Sequence, residues 1–330
     1  MKKVRFGIIG TNTITDKVLL GAMQDPRFEA AAICSRTAGR AAEFADKYSI
    51  PHWFTCEKDM AASEHIDAVY IATPNSLHAR QSILFLEHGK HVLCEKPLAA
   101  NLREVKAMIG AARRNGVLLM EAMKTTLTPN FGAIKDNLRS AGKVRRYFSS
   151  FCQYSSRYDK LKAGIVLNAF DPGMATGSLG DIGVYAIYPM VVLFGRPKAI
   201  QAHGLKLYTA TDGQGAAIFD YGDMDAVVVY SKIADSELPT EIQGEEGTIR
   251  SDRINIIGKV AFRPRNGEWQ DISAPTPNDE YFYEVGHFID LIGSGRTESP
   301  VNSFENSLIV MEILDEIRRQ TEIVYPADSE

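Results

Sequence analysis

Short apolar runs alternate with amphipathic stretches through the first 120 or so residues. Lys3-Val-Arg-Phe-Gly-Ile-Ile-Gly10 is rich in Val and Ile and closes on glycine, which predicts a buried strand. Thr13-Ile-Thr-Asp16 follows with the spacing of a helix start. Thr13 can accept a first-turn N–H, and Asp16 suits the positive helix end. Val18, Leu19, Ala22 and Met23 then form one apolar helix face, ended by Asp25-Pro26. The pattern returns as a strand over 28–34, an Ala-rich helix over 37–48, a strand over 67–72 and a helix over 77–88 closed by Gly89. A strand over 91–94 leads to a helix capped by Asn101, with Glu104 in the reciprocal position and Asn115-Gly116 at its end; 117–120 is a further strand. Strands separated by helices of this length imply a parallel sheet covered on both faces, and right-handed crossovers make it doubly wound.

The rhythm changes after residue 122. Longer strands are predicted over 144–151, 199–207, 216–221 and 226–233, with Tyr221-Gly222-Asp223 as a hairpin signal between the last two. Helical segments remain at 129–140, 178–194, 280–293 and 303–320. The expectation is an α/β domain over 1–122, followed over 123–330 by an α+β domain with a largely antiparallel open sheet.

Length and charge agree with this picture. A chain of 330 residues suits two domains. A net charge of −4 gives no electrostatic footprint for nucleic acid or an anionic membrane surface. No run reaches the ~18 consecutive apolar residues of a membrane span. The basic start, Lys2, Lys3 and Arg5, precedes an apolar run that stops at Thr11-Asn12-Thr13, too short for a signal core. Cys34, Cys56, Cys94 and Cys152 form no CxxC pair, so they read as free thiols of a cytoplasmic protein. No His/Cys/carboxylate cluster has metal-ligand spacing, so no metal is expected.

Candidate chemistry lies at strand ends. Gly7-Ile-Ile-Gly10-Thr-Asn12-Thr-Ile-Thr15 joins the first strand to the first helix, where a phosphate-binding turn belongs. Gly10 can supply the tight turn, and Thr11, Asn12, Thr13 and Ile14 complete it. Asn12 and Thr15 replace the later small residues of G-x-G-x-x-G/A. Asn tolerates positive φ, but its side chain would crowd phosphates or hydrogen-bond them. An ordinary strand–turn–helix junction would carry the same glycine. At the end of the second strand stands Cys34-Ser35-Arg36-Thr37 and no carboxylate. Ser35 can donate a hydroxyl hydrogen bond and Arg36 can pair with a phosphate, which predicts NADP(H) in preference to NAD(H). A solvated arginine at a helix start is the plainer alternative.

Glu95-Lys96-Pro97 closes another strand of the same sheet. Ligands of open α/β sheets bind beyond strand carboxyl ends, so Lys96 is placed to meet a substrate, with Glu95 orienting it or holding ribose. In the second domain, Gly177-Ser-Leu-Gly-Asp181-Ile-Gly-Val-Tyr185 opens a helix. Asp181 and Tyr185, four apart, share one face. A carboxylate and a phenol there, facing an ammonium from the other domain, would make a proton-transfer site.

These segments resemble the glucose–fructose oxidoreductase/inositol dehydrogenase (Gfo/Idh/MocA) family. The matching pieces are GIIGTNTIT, IATPNSLH at 71–78, HVLCEKPLA at 91–99, EA at 121–122 and GSLGDIGVYAIYP at 177–189. Tyr185 in place of the family's frequent His is similar to the glucose–fructose oxidoreductase and dimeric dihydrodiol dehydrogenase branch. The resemblance implies a Rossmann domain and an NAD(P)-dependent dehydrogenase acting on CH–OH groups of a sugar, polyol or dihydrodiol. It implies that Lys96 and Tyr185 handle the substrate proton, with Asp181 orienting the pair. Thr73, Pro74, Asn75 and His78 would then lie along the nicotinamide or the substrate mouth, although a structural role for His78 in a first helix turn fits equally. Arg157, Asn168 and Asp171 are candidates to line a polar substrate. A homodimer or homotetramer is also implied. Two other readings stay open: a glycoside-cleaving enzyme that uses tightly bound NAD as an internal redox cofactor, and a non-catalytic dinucleotide sensor.

Overall fold

The computed structural model describes residues 3–329, so Lys2 of the basic start lies outside the described residues. The chain forms two compact units. One comprises Met1–Lys124 with Asn278–Phe304, the other Thr125–Pro277 with Glu305–Glu330. This differs from a single division at 122/123, because the helix Glu280–Gly293 belongs to the first unit.

The first unit is built on β1 (Val4–Ile9), β2 (Phe28–Cys34), β3 (His52–Phe54), β4 (Ala68–Ile71), β5 (His91–Glu95) and β6 (Leu119–Ala122). They pair in parallel in the order β3-β2-β1-β4-β5-β6. The helices are α1 (Thr13–Ala22), α2 (Ala38–Tyr48), α3 (Glu57–Ala62), α4 (Asn75–Glu87) and α5 (Leu102–Asn115). The strand order reverses between β1 and β4, so the crevice beyond their carboxyl ends is the topological switch point. The edge strand β3 and α3 escape a reading of the sequence, since three and six residues are too few to show a period. Asn101 caps α5 through Glu104 N–H at 3.1 Å, and Glu104 Oε2 accepts from Ala100 N–H at 3.0 Å. Glu280–Gly293 joins this unit because Gly21 lacks a side chain: a Cβ there would come within 2.7 Å of Tyr281 Cβ and 2.6 Å of Asp279 Oδ1.

The second unit carries β7 (Val144–Cys152), β8 (Ala199–Lys206), β9 (Asp212–Asp220), β10 (Asp225–Ser231), β11 (Thr240–Gly244), β12 (Gly247–Ser251), β13 (Val260–Pro264) and β14 (Gln270–Asp271). Their order is β14-β13-β12-β11-β7-β10-β9-β8. Every neighbouring pair is antiparallel except β7 and β10, so the sheet is mixed and largely antiparallel. Strands β11 to β14 are not recognisable in the sequence because polar residues interrupt them. The helices include α6 (Pro129–Asn137), α7 (Tyr158–Lys162) and α8 (Val184–Phe194). Helix α8 covers one sheet face: Tyr147 donates its hydroxyl to Ala186 O at 2.9 Å, and Gly183 leaves room for the Tyr230 ring, 3.0 Å from where a Cβ would sit. The run Pro172–Phe194 is long and apolar enough to cross a membrane, but 72% of its most apolar window is buried inside the protein. That is the behaviour of a core helix.

Candidate active site

The turn after β1 is built around Gly10. Its φ is +109°, and a Cβ would stand 2.4 Å from Ala72 O. Asn12, not Thr13, caps α1; its φ is −109° and its Oδ1 accepts from Ile14 and Thr15 N–H at 3.0 and 3.1 Å. Its Nδ2 donates to Ala72 O at 2.7 Å, and Thr15 Oγ1 donates to Gly10 O at 3.1 Å. Asn12 therefore does not take up the positive φ that asparagine tolerates: its side chain folds back as the cap and ties the turn to the end of β4. Among the described residues, nothing accepts from the N–H groups of Thr11, Asn12 and Thr13. A close backbone approach and three available N–H groups at a helix N-terminus suit a dinucleotide pyrophosphate.

Ser35 and Arg36 follow β2 directly, and Arg36 is exposed. Thr37 caps α2 through Arg40 N–H. Arg40 itself does not stand out in the sequence. Its guanidinium donates to Thr11 O at 3.0 Å and Thr11 Oγ1 at 3.3 Å, holding the glycine turn against α2. Its signal is its place one helical turn beyond Arg36.

The ends of β4 and β5 are joined by His78. It is fully buried, and its ring nitrogens lie 3.0 Å from Pro97 O and 3.0 Å from Thr73 O. One nitrogen donates while the other lies near an acceptor oxygen, so His78 holds two strand-end loops together and does not line an open mouth. This burial between two carbonyl oxygens is the geometry of the structural reading of His78. Thr73 Oγ1 donates to Gln81 Oε1 at 2.5 Å, while Pro74 and Asn75 begin α4. Burial pushes the His78 imidazole down to about 4 despite its two carbonyl neighbours. Below the ordinary value of about 6.5, the unfolded chain takes a proton that the native state refuses, so stability falls as pH drops toward 4. His91 and His287, also lowered by burial, act in the same sense. Replacing His78 with Gln isolates its share. Wild type should lose about 3 kcal/mol more than the variant between pH 7 and 4, read from urea midpoints; parallel curves would rule the assignment out.

The Glu95-Lys96 segment rests on buried acids. Tyr70 donates its hydroxyl to Glu95 Oε1 at 2.6 Å, and Lys96 N–H reaches Glu95 Oε2 at 3.3 Å. Glu121, at the end of β6, accepts from Leu98 N–H at 3.0 Å. Burial raises the Glu95 carboxyl, opposed by Lys96, Tyr70 and Lys124. Tyr70 and Lys124 are not foreseeable from sequence, because nothing in their local surroundings along the chain separates them from core or surface residues.

In the second unit, Asp181 lies in a single π-helical turn, Leu179–Gly183, and Tyr185 in the first turn of α8. Asp181 pairs with Lys232, which follows β10 and is buried although Asp181 is half-exposed. The turn is anchored by Asp212, whose Oδ2 accepts from Leu179 N–H at 2.6 Å. Burial brings the Asp212 carboxyl up to about 6. The Tyr185 ring meets Phe151 edge-on at 5.8 Å. Arg157 and Asn168 are exposed, and Asp171 accepts from Gly173 N–H at 2.9 Å to close a turn. Among the described residues no group of His, Cys, Asp and Glu could hold a metal ion.

A switch-point crevice headed by a glycine turn and a helix N-terminus defines a dinucleotide-binding α/β fold. Residues 4–123 match the oxidoreductase family NAD-binding Rossmann fold and residues 139–250 the GFO/IDH/MocA C-terminal domain. The chain belongs to the GFO/IDH/MocA oxidoreductase family. It is 52% identical to scyllo-inositol 2-dehydrogenase (NADP(+)) IolU of Bacillus subtilis, over 98% of this chain and 99% of that one. It is 31% identical to trans-1,2-dihydrobenzene-1,2-diol dehydrogenase of Danio rerio, over 99% of each. Aldose-aldose oxidoreductase from Caulobacter crescentus has the same fold, with a TM-score of 0.86 at 22% identity over 97% of this chain and 98% of that one.

Proposed function

We propose that this oxidoreductase transfers hydride between NADP(H), in preference to NAD(H), and a secondary alcohol of a cyclic polyol or related sugar. The observation that carries the reading is the full-length 52% identity to an enzyme named as an NADP(+)-dependent scyllo-inositol dehydrogenase. The end of β2 supports it: Ser35-Arg36 stands there with no carboxylate to repel a 2′-phosphate. When bound, the nicotinamide supplies the hydride acceptor. The Thr11, Asn12 and Thr13 N–H groups would hold the pyrophosphate, and Thr73, Pro74 and Asn75 the nicotinamide side of the crevice. Lys96 and Tyr185 handle the substrate hydroxyl: the Lys96 ammonium stabilises developing negative charge on oxygen, and Tyr185, as the phenolate, would take the hydroxyl proton and become the phenol as the C–H hydride passes to the nicotinamide. Asp181 orients Tyr185, and Arg157, Asn168 and Asp171 lend polar lining.

The second copy needed for a homodimer or homotetramer would dock on the outer sheet face. Phe148, Val227 and Ile218 line up across β7, β10 and β9 there, and Ile218 is 51% exposed. A row of apolar side chains on an open sheet suits a protein partner.

The test is a titration of cofactor-free protein with NADPH and NADH, followed by turnover of scyllo-inositol with NADP+. Tighter NADPH binding is expected, weakened about tenfold by Arg36→Ala through loss of a phosphate pair. Lys96→Met and Tyr185→Phe should bind NADPH normally and lose at least about 100-fold in kcat. Near-normal turnover in either variant would overturn its role, and equal affinity for both cofactors would overturn the preference.

A further inference from the structure

In the first unit two buried acids, Glu95 and Glu284, act on each other. Glu284, on the helix Glu280–Gly293, is fully buried, and among the described residues neither carboxyl oxygen has a hydrogen-bond partner. The charged and titratable groups that act on it are Tyr70 from β4, Glu95 from the end of β5, Lys124 just after β6, and Glu280 from its own helix. Lys124 is engaged elsewhere. Its Nζ donates to Glu280 Oε1 at 2.5 Å and lies 3.3 Å from the Tyr281 hydroxyl. Both Glu95 oxygens already accept, from Tyr70 and from Lys96 N–H. Glu284 therefore has neither a bonded cation nor a donor to support a negative charge, and Glu95 lies beside it.

We propose that Glu284 is a positioning residue which holds a proton at neutral pH, leaving Glu95 as the carboxylate that fixes Tyr70 and the Lys96 backbone. An ionised carboxylate in such surroundings is costly, and two adjacent acids relieve the cost by sharing one proton. Glu95 is the member with donors aimed at it, so the proton resides on Glu284. Burial and the Glu95 charge both push the Glu284 carboxyl in the same upward direction. The link to turnover rests on the proposed role of Lys96; the proton assignment does not.

Two measurements on the cofactor-free full chain test the assignment without turnover. Infrared spectra of wild type at neutral pH should show the carbonyl stretch of a protonated carboxylic acid, absent from Glu284→Gln. Thermal unfolding supplies the second arm. Native Glu284 keeps a proton that the unfolded chain releases above about pH 4.5, so wild type loses stability relative to Glu284→Gln as pH rises. The advantage of the variant should be small near pH 4.5 and widen toward pH 8. The kcat–pH profile then reads positioning: wild type should show an alkaline limb that Glu284→Gln lacks, with KM unchanged. A wild-type spectrum without the acid band, or a melting difference constant with pH, would overturn the proton assignment. Identical pH profiles would overturn the positioning role. The infrared arm on wild type stands even if the variant fails to fold, and failure on scyllo-inositol would leave both structural arms intact.

Discussion

Gly10→Ala is expected to lower the stability of the first unit by about 3–5 kcal/mol, among the largest effects of any single substitution. The backbone at Gly10 has φ of +109°, outside the range L side chains ordinarily accept. The new methyl would also lie 2.4 Å from Ala72 O and 3.0 Å from its carbonyl carbon. These are backbone atoms that cannot rotate aside. Ala72 N–H donates to Ile9 O at 2.9 Å, and Ala72 O accepts from Asn12 Nδ2 at 2.7 Å. Relief of the overlap would part β1 from β4 at the switch point and pull away the cap of α1. The loss is large against total domain stabilities of about 5–15 kcal/mol. Urea unfolding with Gly39→Ala as control separates this from a general cost of alanine. Gly39 lies in α2 with nothing within 4 Å of an added methyl, so its variant should match wild type or gain up to about 1 kcal/mol. NADPH affinity should fall in the Gly10 variant alone. Coincident unfolding curves for all three proteins would refute the account.

The same neighbourhood shows what sequence can and cannot carry. The alternation of Val- and Ile-rich runs with amphipathic helices is sufficient for the parallel sheet, because each of the longer elements buries a regular pattern of apolar positions. Asn101 with Glu104, and Gly116 beyond, mark α5 in sequence because capping is local chemistry. Asn12 shows the limit. Beside a glycine motif it looks like a defect, yet its side chain does the capping expected of Thr13 and reaches across to Ala72, 60 residues away. Arg40, Tyr70, Lys124 and Lys232 share that trait: each acts on a partner brought near by the fold. Candidate residues at strand ends are legible because topology places ligands there. The charges that support them are not, because burial is decided by the whole unit.

Lys232 is the place where that unseen support should matter most for the chemistry. Its side chain is only 4% exposed, while its partner Asp181 is 43% exposed. Its ammonium lies 5.6 Å over the Phe170 ring, and its backbone N–H donates to Gly213 O at 2.9 Å, so the residue is fixed at both ends. A lysine held this way sets where the Asp181 carboxylate sits, and Asp181 lies one turn before Tyr185. Lys232→Met keeps most of the stem volume and removes the charge. A charge-assisted hydrogen bond of this kind contributes about 1.5–3 kcal/mol, and the partial exposure of Asp181 puts the expected stability loss at the lower end. The larger effect is on geometry. Freed from its ammonium, the carboxylate can turn toward water, and loss of a positioning contact costs about 100-fold in turnover. NADPH affinity is expected to stay within about twofold of wild type, so that the loss appears in kcat. Asp181→Asn removes the same ion pair from the other side. If the two act as one unit, the double variant should be no slower than the worse single variant; additive losses would mean that Lys232 serves only the packing around Phe170.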